Sequence, residues 1–259
     1  MIDLHLIGIG TGNPDHLTAQ AVAAMNQADL ILLPRKGQAK SDLIDLRREI
    51  CAQVLTGPTR IVEFDLPVRG GPVRGNGATY LDDVNAWHDA IADAWQAQIT
   101  QHLPGGGTLA LLVWGDPSLY DSTLRIADRL SSAGVEITVR VVPGITSLQA
   151  LTAAHAMPLN PLAGPVTITT GRLLRAHGWP AGADTIVVML DSGGAFEGLQ
   201  PQGITIWWGA YLGMAHEALE QGPLAQAGPR IALRRAELRA RHGWIMDVYL
   251  MRRELADGT

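Results

Sequence analysis

The residues whose types and spacing could do chemistry begin with Gly115-Asp116-Pro117, which stops an apolar run from Leu109 to Trp114, and with Asp121 just beyond. A run of that length bounded by turn residues reads as a buried parallel strand, and open α/β sheets receive ligands at the carboxyl ends of such strands. Gly115 allows close main-chain approach, Pro117 fixes the turn, and Asp116 is expected at the mouth of the sheet with its carboxylate free. A plain strand-to-helix turn has the same look. His88 lies beside the apolar face of a helical pattern, where a capping or surface role competes with a catalytic one. His5, His16, His155, His177, His216 and His242 are scattered, there is no HExxH or GxSxG, and the single cysteine, Cys51, sits inside a helical pattern. No metal centre and no covalent nucleophile are expected. The residues suit a cleft that positions reactants.

The elements that must hold these residues alternate between strand and helix. Residues 3–9 form a short apolar strand ending in Gly8-Ile9-Gly10-Thr11-Gly12, residues 17–26 have helical spacing, and residues 29–33 form a second strand. A dinucleotide fingerprint fails here, because Asn13 stands where a glycine is required and Asp29 begins the second strand instead of ending it. Residues 41–55 and 80–102 read as helices, with a third strand at 60–64 and a Gly/Pro/Arg-rich loop at 66–78 between them. After the central strand come a helix, a strand at 135–142, the loop Pro143-Gly144-Ile145-Thr146-Ser147, and a helix to about residue 156. That helix's N-terminus should offer unpaired N–H groups to a carboxylate. Met157-Pro158-Leu159-Asn160-Pro161 is the clearest break, giving domains 1–157 and 158–259. The second contains strands at 166–169, 185–190 and 204–208, a helix, and late strands at 230–234 and 244–252. Two α/β domains are the expected fold class.

The 259 residues are 47% hydrophobic and 17% charged, which describes a globular chain with a large core. No stretch approaches the roughly 18 apolar residues of a membrane span, and MIDLHLIGIG lacks the basic start of a signal peptide. A cytoplasmic protein without a membrane partner is expected. A net charge of −5 argues against nucleic acid. The cations are mostly arginine, with Lys36 and Lys40 the only lysines. Arginine suits bidentate capture of carboxylates.

Three loops occur together in order: IGIGTGNPDHLT from Ile7, WGDPSLYD from Trp114 and VVPGITS from Val141. The combination resembles the tetrapyrrole methylases across essentially the whole chain. Further stretches, KGQAKSDLIDLRREI from Lys36, VWGDPSLYDSTLRI from Val113, PLNPLAGPVTITTGRLL from Pro158 and WWGAYLGMAHEAL from Trp207, resemble the branch acting in aerobic cobalamin synthesis. The resemblance implies two α/β domains with S-adenosylmethionine folded into the cleft between them, often in a homodimer. It places Trp114, Gly115, Asp116 and Leu119 beside the cofactor, with Thr146 and Ser147, and with Leu190 (or Met189, one position away), Gly209 and Ala210 from the second domain. The first glycine loop, with Thr11 where the family usually has proline, would border the trough for a polycarboxylate tetrapyrrole. Arg35, Lys36, Arg69, Arg74, Arg172 and Arg175, with Asp121, are the candidates to meet the substrate. The implied reaction methylates C-1 of a precorrin and releases acetate, leaving S-adenosylhomocysteine. Asp116, Asp121 and His88 compete as the group activating water, and the residues alone assign none. Methylation at another ring position, or of RNA or protein on the same fold, is the alternative.

Overall fold

The computed structural model describes residues 1–35, 41–68 and 80–253, with backbone only at residues 41, 42 and 80. The chain divides into two compact units, Met1–Gly10 with Pro14–Ile145, and Thr11–Asn13 with Thr146–Thr259.

In the first unit, β1 (Ile2–Gly8), β2 (Leu30–Arg35), β3 (Arg60–Asp65), β4 (Gly107–Val113) and β5 (Ile137–Val142) form a parallel sheet in the order β3-β2-β4-β1-β5. Both faces of the central strands β2, β4 and β1 are buried, and the two-residue period of a strand divides the apolar side chains between them. Leu30, Leu32, Leu109, Leu111 and Val113 meet Ile91, Trp95 and Ile99 of α3 (Tyr80–His102) and Ile126 and Leu130 of α4 (Thr123–Ser132). Ile31, Leu33, Ala110 and Leu112 face Ala21 and Met25 of α1 (Ala19–Gln27) and Ile44, Ile50 and Cys51 of α2 (Ser41–Val54). Thr18 caps α1 by accepting from the Ala21 amide at 3.0 Å.

The second unit holds α5 (Ser147–Ala154), β6 (Thr167–Thr170), α6 (Gly171–His177), β7 (Thr185–Met189), β8 (Ile204–Ala210), β9 (Ala218–Pro223), α7 (Leu224–His242) and β10 (Asp247–Arg253). Its sheet runs β6-β7-β10-β8-β9, parallel between β6 and β7 and antiparallel elsewhere. Two expectations are corrected here. Residues 230–234 are helical, because Leu224, Ala227, Ile231, Arg235 and Leu238 are buried at the three- and four-residue spacing of one α7 face. No helix follows β8; a turn returns the chain into β9.

The units part between Ile145 and Thr146, twelve residues before the expected boundary at 157/158. The proline-rich stretch is a turn within the second unit. Arg252 of β10 donates to the carbonyls of Pro158 and Leu159 at 2.6 and 3.2 Å, and His155 contacts the Trp208 carbonyl at 3.0 Å, so α5 is fastened to β8 and β10. No helix among the described residues is long and apolar enough to cross a membrane.

Candidate functional site

At the carboxyl end of the first sheet, three strand ends approach main chain to main chain. A Cβ on Gly8 would lie 2.6 Å from the Gly144 nitrogen and 2.7 Å from the Gly115 carbonyl oxygen, and one on Gly144 would overlap that oxygen. Glycine is required at both for want of space. Gly115 itself adopts φ +63° and exchanges hydrogen bonds with Gly10.

Asp116 completes this junction, which corrects the expectation of a free carboxylate. Its Oδ1 accepts from the amide of Ser118 at 2.8 Å and from the Ser118 hydroxyl at 2.5 Å, and its Oδ2 accepts from the Gly144 amide at 2.9 Å. Burial pushes the carboxyl up, but the bonds from Ser118 and Gly144 outweigh it and hold the group below the usual carboxylate range. A carboxylate so engaged is a poor proton acceptor, so the geometry counts against Asp116 as a base. Asp121 likewise accepts at Oδ1 from the Thr123 amide at 2.6 Å and hydroxyl at 2.5 Å, securing the start of α4. His88 is buried on α3 beside Trp87, with ring centroids 5.8 Å apart, which removes the surface reading. Leu119 is half-buried and the next residue, Tyr120, has a left-handed φ of +50°.

The arginine expectations are partly overturned. Arg35 forms a fork with Asp65, Nε to Oδ1 at 2.9 Å and Nη2 to Oδ2 at 3.0 Å, so the chain's own carboxylate occupies the geometry reserved for a substrate. Lys36, Arg69 and Arg74 lie outside the described residues. Sequence reasoning missed Arg47. It is 8% exposed in α2, donates to the carbonyls of Leu112 and Leu43, and lies 5.0 Å from the Trp114 ring centroid. Burial pushes its guanidinium down to about 10, against the pull of Asp121. Its position among Leu43, Ile44, Ile50 and Cys51 puts a charge in an apolar helical stripe, which was the legible signal.

In the second unit, Thr146 caps α5. Its hydroxyl accepts from Leu148, while Gln149 Oε1 accepts from the Thr146 amide at 3.0 Å, a capping box that supplies part of what an anion was expected to supply. Ser147, the first residue of α5, is half-buried. Thr11 donates to the Leu212 carbonyl at 2.8 Å, a bond proline cannot make. Gly209 and Ala210 are ladder residues of β8, paired on both sides. A Cβ on Gly209 would come within 2.6 Å of Leu212 and 3.0 Å of Leu151.

Past β7, Met189 is half-buried and Leu190 is 64% exposed with φ +52°. An exposed leucine held left-handed at a strand end is strained, and such strain concentrates at functional sites. Asp191, missed from the sequence, anchors the next position. Its Oδ2 accepts from the Ala195 amide at 2.6 Å and the Tyr249 hydroxyl at 2.7 Å, and its Oδ1 from Arg175 at 2.5 Å and the Gly193 amide at 3.2 Å. Burial raises the carboxyl, and these bonds, led by that of Tyr249, bring it below its ordinary range. Arg175 is therefore an internal partner of Asp191, contrary to the expected substrate contact. Arg172 is exposed in the first turn of α6. Arg235 is also missed by sequence reasoning; it bonds Asp247 at 2.7 Å and the Asp191 carbonyl at 2.6 Å. Among the described residues no group of histidine, cysteine and carboxylate side chains could hold a metal.

A doubly wound parallel sheet with a glycine-crowded, carboxylate-pinned strand end, followed by a mixed five-stranded sheet, defines a class. The chain belongs to the tetrapyrrole (corrin/porphyrin) methylases, whose family model matches residues 3–228. Among individual relatives, it is 47% identical over 250 residues to the precorrin-6A synthase [deacetylating] of Sinorhizobium sp, covering 96% of this chain and 94% of that one. The crystal structure of a cobalamin synthesis related protein (CobF) from Corynebacterium diphtheriae superposes with TM-score 0.82 at 36% identity, over 98% of this chain and 99% of that one. A uroporphyrin-III C-methyl transferase from Thermus thermophilus complexed with S-adenyl homocysteine shares the fold at TM-score 0.55 and 17% identity, over 96% of each chain.

Proposed function

We propose that the protein is an S-adenosylmethionine-dependent C-methyltransferase that methylates precorrin-5 at C-1 with release of acetate, giving precorrin-6A. The observation that carries this reading is the 47% identity to a deacetylating precorrin-6A synthase across nearly the full length of both chains.

The residues present fit the cofactor. Main chain at 114–119 is fixed from beneath by Asp116, so its peptide groups are preorganised, and the exposed, strained Leu190 offers apolar surface at the end of β7. Trp114, Gly115, Asp116 and Leu119 would hold it from the first unit, and Thr146, Ser147, Met189, Leu190, Gly209 and Ala210 from the second. Asp116 would act by shaping the loop, because both its oxygens are engaged. S-adenosylmethionine, when bound, supplies the activated methyl group. The protein's task is to orient the ring carbon in line with it and exclude water.

The substrate's carboxylates would be met by Arg172 and by Lys36, Arg69 and Arg74. A cytoplasmic homodimer belongs to the same proposal. Incubation with precorrin-5 and S-adenosylmethionine, followed by mass spectrometry, tests the reading. Gain of one methyl with release of acetate is expected, and methyl gain without acetate release would overturn it.

A further inference from the structure

A cavity of about 270 Å³ lies wholly within the first unit, under the end of β4 and between α2, α3 and α4. Its walls are apolar and largely aromatic, with Phe64, Trp87 and Trp95 among them, but Arg47, Trp114 and Asp121 also line it. Two observations show that its polar complement is incomplete. Arg47 is buried and gives Nε and Nη1 to the neutral carbonyls of Leu112 and Leu43, at 3.2 and 3.3 Å, and it forms no ion pair among the described residues. Asp121 acts on it only at a distance, its Oδ1 being engaged by Thr123. The Trp114 Nε1–H, on the same cavity, is buried with no acceptor among the described residues.

A buried guanidinium with no carboxylate in contact and a buried indole N–H with no acceptor among the described residues are each costly, and a single anion relieves both. The internal segments 36–40 and 69–79 contain no Asp or Glu, and Asp42, at the start of α2, is described by its backbone only. Planar, two-oxygen geometry matches the guanidinium, and the aromatic walls favour a short hydrocarbon stem over a phosphate or sulfate. We propose that this cavity is a carboxylate-binding site in which Arg47 and the Trp114 indole N–H hold a short alkyl carboxylate.

Under the deacetylating reading, on which the biological assignment rests, two sources share that chemistry: the acetate released and a carboxyalkyl arm of the tetrapyrrole. Binding itself is tested without turnover, by titrating the protein with sodium acetate and sodium propionate while following the tryptophan indole N–H resonances, that of Trp114 being assigned with Trp114→Phe. For a ligand of so few atoms, a ceiling of about −1.5 kcal/mol per non-hydrogen atom keeps the affinity in the micromolar-to-millimolar range. A saturable shift of the Trp114 resonance in that range is expected, absent with sodium chloride at equal ionic strength and weakened at least about tenfold in Arg47→Met. No saturable shift, the same shift with chloride, or an unchanged affinity in Arg47→Met overturns the proposal. If Arg47→Met does not fold, the comparison of acetate with chloride on the unaltered protein decides. In turnover, competitive inhibition by acetate against precorrin-5 assigns the site to a substrate arm, and non-competitive inhibition to released acetate; both support the site. Acetate release without acetate binding refutes this inference alone, whereas acetate binding in a protein that releases none refutes the deacetylating reading alone.

Discussion

The Asp116 carboxylate accepts a hydrogen bond from the Gly144 amide at 2.9 Å, joining the loop after β4 to the second residue beyond β5. The bond spans 28 residues of sequence and closes a site where glycine main chains already touch. Asp116 therefore acts on the first unit's loop architecture before it can act on any ligand. Replacing it removes charge-assisted bonds worth roughly 1.5–3 kcal/mol each. Asp116→Ala is expected to weaken S-adenosylhomocysteine binding by at least about tenfold in calorimetry, and Arg172→Ala by less than about threefold. Equal effects would mean that cofactor and substrate residues are wrongly divided.

The same group predicts a pH signature. Its folded pKa is depressed below the ordinary 3.8, so its stabilisation is fully present above that value and is lost as pH falls through the lower folded pKa. Asp191 behaves alike, being depressed from the same 3.8. Asp116→Asn and Asp191→Asn should each lower stability at neutral pH and flatten its fall below about pH 4. Urea midpoints between neutral pH and pH 3 check this, and unchanged slopes in both variants would count against the assigned bonds.

Gly144→Ala should be among the most damaging single-methyl additions in the chain. The added Cβ would overlap the Gly115 carbonyl oxygen, a backbone atom fixed by the sheet, and would also lie 2.8 Å from Gly8. Overpacking of this kind costs about 1–3 kcal/mol or more. Gly105, which has nothing within 4 Å of its would-be Cβ, serves as the control, with Gly105→Ala expected within about 0.5 kcal/mol of the parent. Denaturant unfolding of the two variants gives the comparison.

Much of the first unit is legible in the sequence, because local pattern and tertiary role agree there. Strands buried on both faces appear as continuous apolar runs, and the helix at Tyr80–His102 falls where its spacing predicts. The second unit is less legible. Residues 230–234, with three apolar residues between two arginines, read as a strand until Leu224, Ala227, Ile231 and Leu238 are seen on one helical face. The site misleads for a different reason. Residue type announces a charge but not its partner, and Arg35 and Arg175 prove to be matched internally by Asp65 and Asp191. Conversely, Arg47 and Arg235 matter through burial, which an apolar helical stripe hints at and the packing establishes.

Leu190 separates stability from function most sharply. Its left-handed backbone, φ +52°, costs an L-residue with a Cβ about 1–2 kcal/mol, and its side chain is 64% exposed, so little packing offsets that cost. Asp191 anchors the following position, through Ala195, Tyr249, Gly193 and Arg175. Glycine adopts the same backbone freely but loses about 0.5–1 kcal/mol more chain entropy on folding. Leu190→Gly should therefore leave stability unchanged or raise it by up to about 1 kcal/mol. If the strain exists to present apolar surface to the cofactor, the same variant should bind S-adenosylhomocysteine several-fold more weakly. Urea midpoints and calorimetry on one preparation separate the two effects. A Leu190→Gly protein that is both as stable and as tight-binding as the parent would show that the strained residue serves neither folding nor the site.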